Sequence, residues 1–505
     1  MRPVSGESPT QSTVDHYKCL AEMLPVGICG GLLEKTGFFR FGPDSVCYGQ
    51  CSAFEPADHL NGSLNDALGH VRFDQNGVTV PFHASRVVSA LRNESYVDSQ
   101  NGRDAFGFGP VARASYYAIR PLLPLGLRKH LQRFALRDWR ERVFPRWPVD
   151  TSVERIHESV MSLALKLCDG NGIPFIWFWP DGAPACAIVT HDVETAKGRN
   201  YSGALMDIDD AFGIKSSFQV VPEKRYKVPT EYLDRIRQRG FEVNVQDLNH
   251  DGLLYRSQEG FFRRAKEINR YVREFGAQGF RAAVLYRNPE WYDALDVSYD
   301  MSFPNVAHLE PQRGGCCTVF PYFIGKILEL PVTLTQDYTL FHILGDYSTA
   351  LWKEQIALIL EKNGLISLVV HPDYTIPAKS KRTYCEVLEH LAQLRQERRV
   401  WVCLPRDVNA WWRARRNMKL VNEKGKWRIE GEGKEHARIA YAHCSGDTVV
   451  YTIEGDQGEA RQEFRFRSNV RAELLCGLDG PESASLPAPS QAPELTGIFM
   501  ACKVT

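Results

Sequence analysis

No stretch of the 505-residue chain approaches the roughly 18 to 20 consecutive apolar residues needed to span a bilayer. Neither sign of charge is in excess, since Lys plus Arg and Asp plus Glu number 61 each. That balance leaves no overall basic footprint for nucleic acid and no overall attraction to an anionic membrane. The opening stretch, MRPVSGESPTQSTVDHYKCLAEML, lacks a basic start followed by an apolar run. No secretory signal is read there, and a cytoplasmic location is expected. Paired CxxC spacing is missing among the 13 cysteines; Cys47 and Cys51 are four apart and Cys316 and Cys317 are adjacent. Neither pattern is a zinc knuckle, and buried free thiols in a reducing compartment are expected. The GxSxG elbow, the GxxxxGK[ST] phosphate loop and the HExxH zinc helix are all absent. No internal repeat is present.

What is present is an ordinary globular balance, 44% hydrophobic and 24% charged, in a chain long enough for two to four domains. Residues 1 to 110 mix strand-like segments (FFRFGPDSVCYGQ, GVTVPF) with the helical spacing of ASRVVSALRNESY, and form a mixed α/β region. Residues 111 to 182 turn basic and helical, and read as a linker. Within it, Asp150, Thr151 and Ser152 followed by Glu154 resemble a helix N-terminal cap. Its arginine run suits either an anion or a solvated helix face. From 183 to 410 short apolar strands alternate with amphipathic helices. The strands include CAIVT, SSFQVV, FEVNV, FRAAVL, VSYDMS, ILELPVTL, ISLVV and WVCL. That alternation predicts a parallel sheet and a complete or distorted β/α barrel. Residues 418 to 505 alternate with a period of two and predict a small all-β domain, with a Pro/Ser/Ala loop near the end.

Barrel catalysts gather at the C-terminal ends of strands. Here those ends carry Asp192 and Glu194 in AIVTHDVET, Gln246 and His250 in FEVNVQDLNHDG, Arg281 in GFRAAV, Asp300 in VSYDMSF, and His371 in LISLVVHPD. Each alone has a simpler reading: a turn-forming Asp, a structural His, an ion-paired Arg. Together and in order they form the set required for metal-assisted amide hydrolysis. A carboxylate takes a water proton and a His protonates the leaving nitrogen.

These segments resemble the polysaccharide deacetylase, or NodB homology, family over residues 186 to 373. The resemblance implies a distorted β/α barrel and a divalent metal. THDVE matches the first motif, which makes Asp192 the base and Glu194 a metal ligand in place of the usual Asp. QDLNH falls on a motif of two His four apart; His250 matches and Gln246 does not. FRAAV supplies the Arg that orients the base, Arg281, without the motif's usual Pro and Tyr. DMSF supplies Asp300, which in the family tunes the last His, and LVVH supplies that His, His371, as general acid. Tyr286 and Arg287, in LYRN, are candidates for substrate contact.

The resemblance implies a metal-dependent hydrolase that removes acetyl groups from an N-acetylated sugar or glycan precursor. Zinc is the first expectation for the metal; a harder ion that tolerates an amide oxygen at Gln246, or no ion, stays open. The alternative is an impaired member of the fold that binds carbohydrate or serves as a scaffold. A carbohydrate substrate and glycan-biosynthesis proteins are the expected partners.

Overall fold

The computed structural model describes residues 8–97, 143–454 and 462–465, apart from short gaps at 61, 76, 169–171, 308, 310–313 and 447. The basic helical stretch from 111 to 142 and the Pro/Ser/Ala loop lie outside these residues.

The centre of the molecule is a nine-stranded sheet. Strands β1 (Val26–Ile28), β4 (Arg72–Asp74) and β5 (Gly77–Val80) form a small N-terminal sheet, and β2 (Thr36–Arg40) and β3 (Val46–Gln50) a hairpin. After β6 (Ile173–Ile176), the central sheet begins with β7 (Ala185–Val193). It continues through β8 (Ser217–Val220), β9 (Glu242–Gln246), β10 (Gly279–Arg281) and β11 (Tyr299–Asp300). It is completed by β12 (Tyr322–Ile324), β13 (Ile327–Glu329), β14 (Leu365–Val370) and β15 (Val400–Val402). The order is β12-β13-β11-β10-β9-β8-β7-β14, with β15 beside the start of β7. All pairs are parallel except β12 with β13. Every residue of β7, β8, β9 and β14 is buried; β14 is a near-continuous apolar run, whereas β8 and β9 also bury Ser217, Gln219, Glu242, Asn244 and Gln246.

No strand ladder joins β13 to β14. The gap is bridged by the chain after β13: Leu334 N donates to Ser367 O (3.1 Å), and Thr333 Oγ1 to Leu365 O (2.7 Å). The expected β/α barrel is therefore present in distorted form. Its helices follow the apolar spacing: Thr230–Gln238, Gln258–Glu274 and Ala350–Glu361 all fall on segments predicted as helical. Gly279 opens β10 because a Cβ there would lie 2.3 Å from the Tyr299 ring.

One feature departs from the expected helical linker. Residues 173–176, inside the expected helical linker, form β6, which pairs with β18 (Ile439–Ser445) of the C-terminal strands. Four consecutive buried apolar residues suit a strand better than one turn of helix. The rest of that sheet is β19 (Thr448–Ile453) and β20 (Gln462–Arg465), beside the hairpin β16 (Lys419–Glu423) and β17 (Lys426–Glu430). The helix Ser152–Leu165 is capped by Asp150, whose Oδ1 accepts from Ser152 N (2.9 Å), rather than by Thr151.

That helix is buried on nearly all sides and carries Glu154 into the core. Glu154 Oε1 accepts from Thr318 Oγ1 and Val319 N; Oε2 has no hydrogen-bond partner. Burial pushes this carboxyl from the usual 4.5 up to about 7, against the Thr318 bond. The folded value lies above the unfolded one, so the group's contribution to stability is full below about pH 4.5 and lost as pH rises through about 7. The separation is worth about 3 kcal/mol. Glu154→Gln is accordingly expected to match wild type at pH 4.5 and exceed it by up to about 3 kcal/mol at pH 8. Urea unfolding at both pH values checks this; an equal difference at both would refute it.

Candidate active site

The parallel register of the sheet brings the candidate residues together. Arg281 ends β10 directly opposite Gln246, the last residue of β9. Asp192 lies in the last turn of pleat of β7, Glu194 follows it, and His371 follows β14. All five stand at the C-terminal end of the sheet. The loop that carries His250 is held in an unusual path, with Asp247 at φ 50° and His250 at φ 54°, both in the left-handed region.

Glu194 is the hub. Its Oε1 lies 2.6 Å from His250 Nε2, 3.3 Å from His371 Nε2 and 3.2 Å from Gln246 Nε2. Gln246 Nε2 also donates to Asp192 Oδ2 at 3.2 Å, so one amide group spans both carboxylates. Arg281 Nη1 donates to Asp192 Oδ1 at 3.1 Å from a fully buried position. Burial would raise Glu194, but the facing His250 and His371 outweigh it and hold the carboxyl well below the usual range. Burial raises Asp192, opposed by Arg281 and His371. Burial would lower His371; Asp337 and Glu194 outweigh it and hold the imidazole well above its usual value.

The carboxylate behind His371 is Asp337, which corrects the expectation for Asp300. Asp337 Oδ1 lies 2.7 Å from His371 Nδ1, and Oδ2 accepts from His371 N at 2.7 Å. Asp300 is occupied elsewhere, accepting from Tyr292 OH (2.8 Å) and Ser302 Oγ (2.7 Å). Arg287 is likewise engaged by other partners. Its Nε donates to Glu94 Oε2 (2.6 Å), its Nη2 pairs with Glu94 Oε1, and the guanidinium lies over the Phe303 ring. Tyr286 remains beside the His250 loop, since a Cβ on Gly252 would lie 3.7 Å from its Cε2. A further residue not foreseen is Tyr374, whose ring sits 4.8 Å from that of His371.

The donor set fits a divalent cation. One ligand atom from each of Asp192, Glu194 and His371 lies within 4.8 Å of the others, a spread that ligands about 2.0 to 2.6 Å from one ion can close. Two more atoms are buried without hydrogen-bond partners: Gln246 Oε1 and His250 Nε2, the latter close to Glu194 but misaligned for a hydrogen bond. The Gln246 amide presents oxygen in place of nitrogen by a half-turn of its terminal torsion. The expected ligands Glu194, His250 and Gln246 are thus brought together, and Asp192 and His371 join them.

No family model matches the chain, and no curated protein matches it in sequence. Among solved structures it is similar to a Mycobacterium smegmatis protein described as a polysaccharide deacetylase, at 18% identity over 47% of this chain and 93% of that one, with a TM-score of 0.39. It is similar also to a family 4 acetyl xylan esterase from Clostridium thermocellum in complex with cobalt, at 12% identity over 45% and 91%, TM-score 0.30. A third is a mutant of a CE4 family pseudoenzyme with restored activity, at 13% identity over 44% and 67%, TM-score 0.25. The similar structures thus include polysaccharide deacetylases, the family that residues 186 to 373 resemble in sequence, at low identity and over about half of the chain. Residue roles rest on the site's own geometry. Among the described residues, no helix is long and apolar enough to cross a membrane.

Proposed function

We propose that the chain is a metal-dependent hydrolase that removes the acetyl group from an N-acetylated sugar or glycan precursor. The observation that carries this reading is the convergence on Glu194 of His250, His371 and Gln246, beside an Arg-held Asp192. Glu194, His250 and the Gln246 oxygen would hold the ion, with His371 and Asp192 adjoining. When bound, such an ion supplies Lewis acidity toward an amide carbonyl and a water.

The remaining work belongs to side chains. Arg281 opposes the upward shift that burial imposes on Asp192 and fixes the direction of the carboxylate that would accept a proton from water. Asp337 keeps a proton on His371 Nδ1 and stabilises the imidazolium, which leaves the Nε2 proton for the departing amine. Tyr374, 4.8 Å from the His371 ring, and Tyr286, beside the His250 loop, are the residues proposed to contact the sugar. Release of acetate from chitooligosaccharides and from N-acetylated nucleotide sugars, with zinc, cobalt or manganese supplied, tests the reading; no release with any ion would end it. Asp337→Asn is expected to lower kcat by about 100-fold without change in metal content, while Asp300→Asn stays within a few-fold of wild type. The reverse ranking would return the tuning role to Asp300.

A second reading is favoured by one observation. The Gln246 amide N–H groups already donate to both Asp192 and Glu194, so a neutral side chain does part of the electrostatic work that a cation held by Glu194 and His250 would supply. A protein built that way would bind carbohydrate without hydrolysing it. Saturable sugar binding by a preparation that takes up no metal and releases no acetate would select this reading.

A further inference from the structure

A second site lies at the opposite end of the barrel. A cavity of about 290 Å³ opens between the first helix (Gln11–Tyr17), the helix Ala84–Arg92, the start of β12 and the helix Pro405–Asn417. Its wall residue Trp412 packs against Phe320, next to Val319, whose carbonyl accepts from Leu365 N at the first residue of β14. His371 follows the last residue of β14, so the two sites are separated by the strand's length, about 20 Å. They share no residue.

The lining is cationic. Lys18, Arg92, Arg415 and Arg416 face one carboxylate, Asp15, and none of the four has a carboxylate at ion-pair distance among the described residues. Arg92 and Arg416 lie instead over the Tyr322 and Phe323 rings, at 5.3 and 4.2 Å. Arg415, 1% exposed, spends its donors on the carbonyls of His16, Ile176 and Trp177, which leaves its charge unneutralised. Burial pulls Arg415 down to about 9 and lowers Arg92, the latter against the opposing charge of Glu154.

The cavity is also rich in unused donors. Trp412 is 6% exposed, yet its Nε1 has no hydrogen-bond partner. Arg92 Nε and Ser12 Oγ are buried without partners as well. A buried N–H left unpaired is destabilising, and buried unpaired cations are more so. Acceptors with several negative charges would relieve both. A carboxylate matches one guanidinium in a plane, whereas cations and donors arriving from several elements suit a tetrahedral polyanion.

We propose that this cavity is a binding site for a phosphorylated small ligand, held by Arg92, Arg416, Lys18 and the Trp412 indole N–H. The inference does not depend on the chemistry assigned to the other end of the barrel.

Calorimetric titration of the full chain with inorganic pyrophosphate, uridine diphosphate and citrate tests it. Pyrophosphate and uridine diphosphate are expected to saturate a single site, with affinity falling steeply as salt is raised. Tighter binding of the nucleotide places a base in the site; equal binding assigns it to the diphosphate group alone. Arg416 is exposed, so Arg416→Gln preserves the fold and is expected to weaken binding by about tenfold. Trp412→Phe keeps the ring, removes the N–H, and is expected to weaken binding several-fold. The proposal is overturned if no phosphate compound binds saturably, if citrate binds as well as pyrophosphate, or if Arg416→Gln leaves affinity unchanged.

Discussion

Gln246→His is expected to raise affinity for zinc by at least about 100-fold, and acetate release with it. In the folded chain Gln246 is 1% exposed at the end of β9, and its amide nitrogen stands 3.2 Å from both Asp192 and Glu194. The two N–H groups relieve repulsion between those carboxylates, and an amide oxygen is a weak ligand for zinc. An imidazole at this position cannot donate to both carboxylates at once. It provides a ring nitrogen of comparable reach beside His250, and it leaves the two carboxylates to be neutralised by the ion. Metal content by mass spectrometry and competition with a chelator give the affinity. An unchanged zinc affinity would place residue 246 outside the ligand set. A gain in zinc without a gain in acetate release would separate metal binding from catalysis and favour the carbohydrate-binding reading.

Asp192→Asn is expected to cut acetate release by about 1,000-fold while leaving metal uptake largely in place. Asp192 is the carboxylate held by Arg281 at 3.1 Å, and it is 4% exposed. Asparagine preserves the shape and one acceptor oxygen for Arg281 but cannot take a proton from water. Arg281 then faces a neutral partner in a buried site, so some stability is lost as well. Circular dichroism at the assay temperature distinguishes the rate loss from unfolding. A folded Asp192→Asn protein that retains wild-type turnover would remove Asp192 from the base role.

The candidate residues that the structure brings together share one property: each stands at or just beyond the end of a buried strand. Asp192, Glu194, Gln246, Arg281 and His371 stand at the ends of buried strands, and parallel pairing brings such ends to one face. The sequence reads ILELPVTL as one strand, but β13 ends at Glu329, and Asp337 stands further along the chain, just before the π-helical segment Thr339–Leu344, where no strand end marks it. Arg287, in LYRN, is a candidate for substrate contact in the sequence, but in the structure its guanidinium is paired with Glu94. Its partner Glu94 is 193 residues away, a pairing that no local pattern can signal. Asp300 does end a strand, but Tyr292 and Ser302 take its oxygens.

The alternation of strands and helices, and the order of acids, histidines and arginine along them, were determined by the sequence alone. Burial of apolar strands and the parallel crossover dictate those features locally. Which carboxylate backs His371, where the Gln246 amide points, and the gathering of Lys18, Arg92 and Arg416 around one cavity were decided only by the tertiary structure. Each depends on groups brought together from distant segments, and the energy of a charge or an unpaired donor is set by what surrounds it in space.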